Sequence, residues 1–187
     1  MTPTKYFVEI GSCDFDTLNS LAEEGWGGVV VEPVEEYLNN LPKHDAVTYI
    51  NAALDKSSKP RVMHVFKKEI TSKDRDYAGM SSFAQYTLDA NKDYVEPRLV
   101  PCITYSEVVN ESRIPQVDYL KIDTEGHDMA ILREVIYEGP LRPRLIKAEH
   151  KHIPRGVYAM KNFLEDRDYL VYQELDDIYA IDKRQNP

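Results

Sequence analysis

Short apolar runs rich in β-branched residues alternate along this chain with amphipathic stretches, the pattern of parallel strands joined by crossover helices. The runs are Tyr6 to Ile10, Gly28 to Val31, Ala46 to Ile50, Val100 to Ile103, Asp118 to Ile122 and Arg144 to Ala148, with a closing pair near Tyr169 to Gln173 and Ile178 to Ile181. They predict an α/β fold with a mostly parallel central sheet, helices on both faces and a terminal antiparallel hairpin. Helical spacing at Leu18, Leu21 and Ala22 ends at Gly25, and spacing at Met129, Leu132, Val135 and Ile136 ends at Gly139-Pro140. A third helix is expected over Val157 to Leu164. The polar, tyrosine-rich segment 67–97 interrupts the alternation and is expected to be an ordered lid inserted into one domain spanning residues 1–187.

With 32 acidic and 23 basic side chains, the net charge is −9. Such a field repels polyphosphate backbones and anionic bilayers, so neither nucleic acid nor membrane is an expected partner. No apolar stretch is long enough to span a membrane. The apolar run after MTPTK meets Glu9 too early for a signal-peptide core, and two cysteines without CxxC spacing suit a reducing compartment. A cytoplasmic location is expected.

Two strand ends point to a nucleoside site. In VEIGSCDFDTL, Glu9, Gly11, Ser12 and Cys13 stand at the carboxyl end of a strand, where open α/β sheets bind ligands. The GxGxxG fingerprint is missing, and Asp14 and Asp16 at the following helix start repel phosphate. A cationic ligand without phosphate fits better. In VVVEP, Glu32 ends the next strand, about where a carboxylate accepts the ribose hydroxyls of a nucleoside. Each motif alone also describes an ordinary strand with a solvated or Asp-capped end.

A third motif, VDYLKIDTEGHDMAILREV, puts Tyr119, Lys121 and Asp123 on one strand face and leads into a helix through Glu125, Gly126, His127 and Asp128. A lysine inside a strand must be paired, and Lys147 and Glu149 of PRLIKAEH share its phase, so a mixed-charge cluster is expected at the sheet edge. Capping of the helix by Asp123 or Thr124, with Glu125 as a first-turn carboxylate, is the less favoured account of the acids beside the companion motifs.

With EIG, VEP, NAALD, SS at Ser81 and Ser82, DYLKIDTEGHD, RLIKAEH and FLEDRDYLVY in place, the chain resembles the FkbM family of S-adenosylmethionine-dependent methyltransferases over nearly its whole length. The resemblance implies a Rossmann-like class I methyltransferase fold, S-adenosyl-L-methionine as cofactor, and O-methylation of a sugar, glycan or small natural product. It places Glu9 and Gly11 at the methionine moiety, Glu32 at the ribose, Asn51 and Ala52 at the adenine, and Asp123 and Glu125 at the transfer site. Ser12, Asp14, Phe15 and Pro33 complete the expected cofactor contacts. Where family members often carry Gly-Ala-Asn and a second glycine, this chain has Gly11-Ser12-Cys13 and Asp14-Phe15.

An alcohol acceptor calls for a base, and His150, Asp123 and Glu149 are the candidates, His150 first because histidine titrates near neutrality. Tyr77, Ser81, Ser82, Phe83, Tyr86 and His127 are the expected acceptor contacts. Asp123, Glu125, His127, Asp128, His150 and His152 invite a divalent cation, but their spacing matches no fixed metal motif and none is assigned. A noncatalytic cofactor-binding module and a nicotinamide-dependent oxidoreductase are the alternative functions.

Overall fold

The computed structural model describes residues 2–15, 17–74, 76–84, 89 and 92–185. Its central sheet has seven strands, in the order β10-β11-β9-β8-β1-β2-β3. These are β1 Tyr6–Ile10, β2 Gly27–Val31, β3 Val47–Ile50, β8 Tyr119–Ile122, β9 Leu145–Glu149, β10 Tyr169–Glu174 and β11 Asp177–Asp182. Strands β3, β2, β1, β8 and β9 pair in parallel, while β11 is antiparallel to both β9 and β10. The reversal of β11 follows from chain length, because the turn at Leu175 and Asp176 is too short for a crossover. Strand β2 is buried on both faces, as an inner parallel strand between two helical layers must be.

Helices α4 Tyr105–Ser112, α5 Asp128–Tyr137 and α6 Gly156–Glu165 cover one face. Their apolar sides pack on Val8, Ile10, Leu120, Ile122, Ile146 and Ala148, which alternation puts on that face. The opposite face of the β1–β3 half is closed by Leu18, Leu21 and Leu38 against Phe7, Val30 and Val47. The first of these layers is a 3-10 helix, Leu18–Glu24, where the spacing had suggested an α-helix; helix α1 Glu35–Asn40 is the second. Helix α4 opens with a capping box, Thr104 bonding the Glu107 N–H and Glu107 the Thr104 N–H.

The run expected as one strand from Val100 to Ile103 is divided by Pro101. Cys102–Ile103 (β7) makes a two-residue parallel ladder with Ala53–Leu54 (β4), outside the main sheet. Val100 closes a hairpin formed by β5 Arg61–Phe66 and β6 Val95–Val100. The expected lid, 67–97, is therefore the distal part of a longer hairpin insertion. Its described residues include the single-turn helices α2 Lys68–Thr71 and α3 Asp76–Gly79. A separate apolar cluster, including Val34, Tyr37, Met63, Val65, Ala78 and Val100, fixes this insertion against the carboxyl end of the sheet.

Candidate active site

The strand order reverses between β1 and β8, and in open α/β sheets the crevice at such a point is the ligand site. A cavity of about 360 Å³ opens there, within the size range of small-molecule sites. Gly11, Ser12, Cys13 and Phe15 line it from the β1 turn, Glu32 and Pro33 from the end of β2, and Ala52 from the end of β3. Lys121, Asp123, Thr124, Glu125 and His127 line it from β8 and the turn into α5. Met63, Met80, Ser81 and Phe83 form the wall contributed by the hairpin insertion.

Gly11 has φ +78°, and a Cβ at this position would stand 2.0 Å from the Asp123 carbonyl oxygen. The β1 and β8 turns approach this closely only because residue 11 has no side chain. Beyond the approach, Cys13 N–H donates to Glu32 Oε2 and Val34 N–H to Oε1, both at 2.8 Å. Burial nevertheless pushes Glu32 up to about 7. Asn51 bridges the same turn from behind, donating to the carbonyls of Glu32 and Pro33 at 2.9 and 3.2 Å. It is a brace outside the cavity lining, unlike its neighbour Ala52.

Glu9 is the main correction on the cofactor side. Its side chain points to the sheet face opposite Ile10, is fully buried, and lies outside the cavity lining. There it accepts the Thr17 hydroxyl and the Leu18 N–H, anchoring the 3-10 helix, and Lys121 Nζ stands 3.5 Å away. The partner of Lys121 is thus on β1, its register neighbour, while Lys147 pairs with Asp177 at 3.1 Å. Asp14 also lies outside the lining and holds Asn40 Nδ2 at 2.8 Å.

The turn after β8 is built by two left-handed residues, Glu125 (φ 52°) and Gly126 (φ 98°). The buried Asp128 carboxylate turns back to accept the Thr124 hydroxyl and the Gly126 N–H at 3.0 and 3.2 Å. Burial and the nearby Asp123 charge push Asp128 up to about 7. Ser82, expected to contact the acceptor, instead donates to the Glu125 carbonyl at 2.6 Å from a buried position. Ser81 lines the cavity, whereas Tyr77 packs against the rings of Phe66 and Tyr94. Tyr86 lies outside the described residues.

Among the expected bases, His150 turns away: its Nε2 sits 3.2 Å from the Leu175 carbonyl, beside the β10–β11 turn. Glu149 ends β9 outside the lining, pushed up to about 8 by burial and by Glu125, Asp123 and Asp128. Asp123 lines the cavity, with Lys121 Nζ 3.9 Å away. The histidine at the cavity is His127, expected only as an acceptor contact. Its Nε2 lies 3.3 Å from Asp55 Oδ1, and Arg61 holds the other Asp55 oxygen at 2.6 Å. Phe83 packs edge-on against the imidazole, with the Arg61 guanidinium over its own face.

Burial lowers the His127 pKa, against the opposing pull of Asp55, so the ring is neutral near pH 7. Burial raises Asp55, but hydrogen bonds from Arg61 and the Lys56 N–H outweigh it and hold the carboxyl below its ordinary value. An Nε2–H donated to Asp55 leaves the basic lone pair on Nδ1. Asp55 went unassigned in the sequence because it acts only through a partner 72 residues away. Cys13 is no alternative nucleophile, since burial pushes its thiol well above the usual range.

A parallel sheet with one antiparallel strand near its edge, and a cavity over the tips of β1, β2 and β8, define a Rossmann-like fold of the methyltransferase type. Residues 8–171 match the model of the methyltransferase FkbM domain, and the chain belongs to that family. The crystal structure of the methyltransferase FkbM from Methylobacillus flagellatus KT superposes with a TM-score of 0.58 at 11% identity, over 96% of this chain and 44% of that one. This chain thus spans less than half of that protein's length. The fibrillarin/Nop5p complex gives a TM-score of 0.48 at 13% identity, over 94% of this chain and 70% of that one. No curated protein matches the sequence. Among the described residues no helix is long and apolar enough to cross a membrane.

Proposed function

We propose that this chain is an S-adenosylmethionine-dependent methyltransferase that methylates a hydroxyl of a sugar, glycan or small natural product. The observation that carries the reading is the buried Glu32 carboxylate facing the switch-point cavity beside the glycine turn. Two backbone N–H groups fix its orientation while leaving acceptor capacity for ribose hydroxyls. The charged side chains of the lining are three acids, Glu32, Asp123 and Glu125, against two lysines, Lys121 and Lys151, a balance that favours a sulfonium over a phosphate.

When bound, the cofactor supplies an electrophilic methyl group. The protein's part is to align the acceptor oxygen with that methyl and exclude water. Met63, Met80 and Phe83 offer the apolar wall. His127, oriented by Asp55, is the base this geometry favours: Nδ1 takes the hydroxyl proton as the oxygen–carbon bond forms and the carbon–sulfur bond breaks.

Calorimetry with S-adenosylhomocysteine, followed by transfer of labelled methyl groups to a panel of hydroxylated acceptors, tests the reading. It predicts binding that weakens at least about tenfold in Glu32→Ala, and label found in ether linkage. Absence of binding would end it. Binding without transfer to any acceptor would favour the noncatalytic module.

A further inference from the structure

We propose that Glu125, Glu149 and His152 form a divalent-cation site at the rim of the cavity, suited to a metal that accepts one imidazole and two carboxylates. One ligand atom from each side chain lies within 4.8 Å of the other two. His152 Nε2 and Glu125 Oε2 stand 3.0 Å apart. This is an ion-pair contact, and its length is also compatible with two ligands at about 2.1 Å from one ion, which sit roughly 3.0 to 3.4 Å apart in octahedral or tetrahedral geometry. The three residues come from the turn after β8, the last position of β9 and the turn before α6, so only the β8–β9 pairing brings them together.

A separate observation points to the ion. Glu149 Oε2 is wholly buried and has no hydrogen-bond partner among the described residues. A buried carboxylate oxygen without a donor is unfavourable unless it is protonated or meets a cation. The charged groups facing Glu149 are mostly of its own sign, Glu125, Asp123 and Asp128, with Lys151 opposing them. Lys151 is itself paired with Asp176 at 3.5 Å. A dication satisfies the orphan oxygen and lets neighbouring carboxylates ionise together.

The mixed oxygen and nitrogen donors favour Mn²⁺ or Zn²⁺ over Mg²⁺, which prefers oxygen alone. Of the three, Glu125 lines the cavity, so an ion held by them would lie beside the acceptor space and could supply Lewis-acid chemistry there. That use in catalysis rests on the methyltransferase reading, whereas ion binding does not.

Titration of the full chain with Mn²⁺, the free ion read by electron paramagnetic resonance, tests the site without cofactor or acceptor. One ion per chain is expected, with binding weakened at least about tenfold in Glu149→Gln and in His152→Ala and unchanged in His150→Ala. Circular dichroism checks that each variant is folded, and the His152 variant decides the matter if Glu149→Gln is not. No stoichiometric binding of Mn²⁺ or Zn²⁺ at millimolar concentration, or binding indifferent to both substitutions, overturns the proposal. S-adenosylhomocysteine binding, measured separately by calorimetry, keeps this outcome distinct from failure of the cofactor reading.

Discussion

The backbone carbonyl of Asp123 occupies the space where a side chain on Gly11 would begin, 2.0 Å from an ideal Cβ. That contact closes the β1 and β8 turns onto each other and sets the floor of the cavity.

Gly11→Ala is therefore expected to lower stability by at least about 2 kcal/mol in urea denaturation, combining a positive φ with a backbone clash. S-adenosylhomocysteine binding should be lost at temperatures where the variant is still folded. A variant with wild-type stability and affinity would mean that the two turns are free to separate.

Glu32 and Asp128 impose a pH dependence of a definite sign. Both carry a pKa of about 7 in the folded chain, against ordinary values of 4.5 and 3.8. As pH rises from about 4 to 7, the unfolded chain releases these protons first, so stability falls across that window. For Glu32 the loss amounts to at most about 3 kcal/mol. Glu32→Gln should flatten part of the slope in denaturation curves taken at pH 5, 6 and 7. An unchanged slope would show that Glu32 ionises normally inside the fold.

The placement of His127 and His150 makes opposite predictions for two histidines in one assay. His127→Ala should reduce kcat by about 10²- to 10⁴-fold with cofactor affinity retained, the range of a lost general base. Asp55→Asn should act in the same direction, since Asp55 sets the tautomer. His150→Ala should leave kcat within about twofold. A large effect at His150 alone would move the base to the β9 rim.

Lys121 is buried beside Glu9, so Lys121→Met leaves a carboxylate inside the sheet without its cation. A loss of about 3–5 kcal/mol is expected in urea denaturation, with much of it regained in the double variant Lys121→Met/Glu9→Gln. Additive losses would show that the two charges do not interact.

The two acids read as strand ends, Glu9 and Glu32, had the same appearance in the sequence and have different fates. Glu32 stands one residue past β2 and reaches the cavity; Glu9 is the penultimate residue of β1 and faces the opposite layer. Side chains alternate along a strand, so Glu9, still inside β1, is held on the face opposite Ile10, whereas Glu32, past the end of β2, is free to turn into the cavity. The capping box of α4, by contrast, was legible in TYSE at Thr104 to Glu107 and went unread. The hairpin insertion was visible only as a break in the pattern, because its apolar face packs on residues far away in the chain.

By itself, the order of apolar runs and helical stripes determined the parallel sheet, its terminal hairpin and the glycine turn beside a strand-end acid, all local consequences of side-chain period and chain length. Only the tertiary structure decided which histidine meets the cavity, which acid partners Lys121, and how Glu125, Glu149 and His152 converge. These depend on strand register and on contacts between distant segments, which fix directions and distances that sequence spacing does not contain.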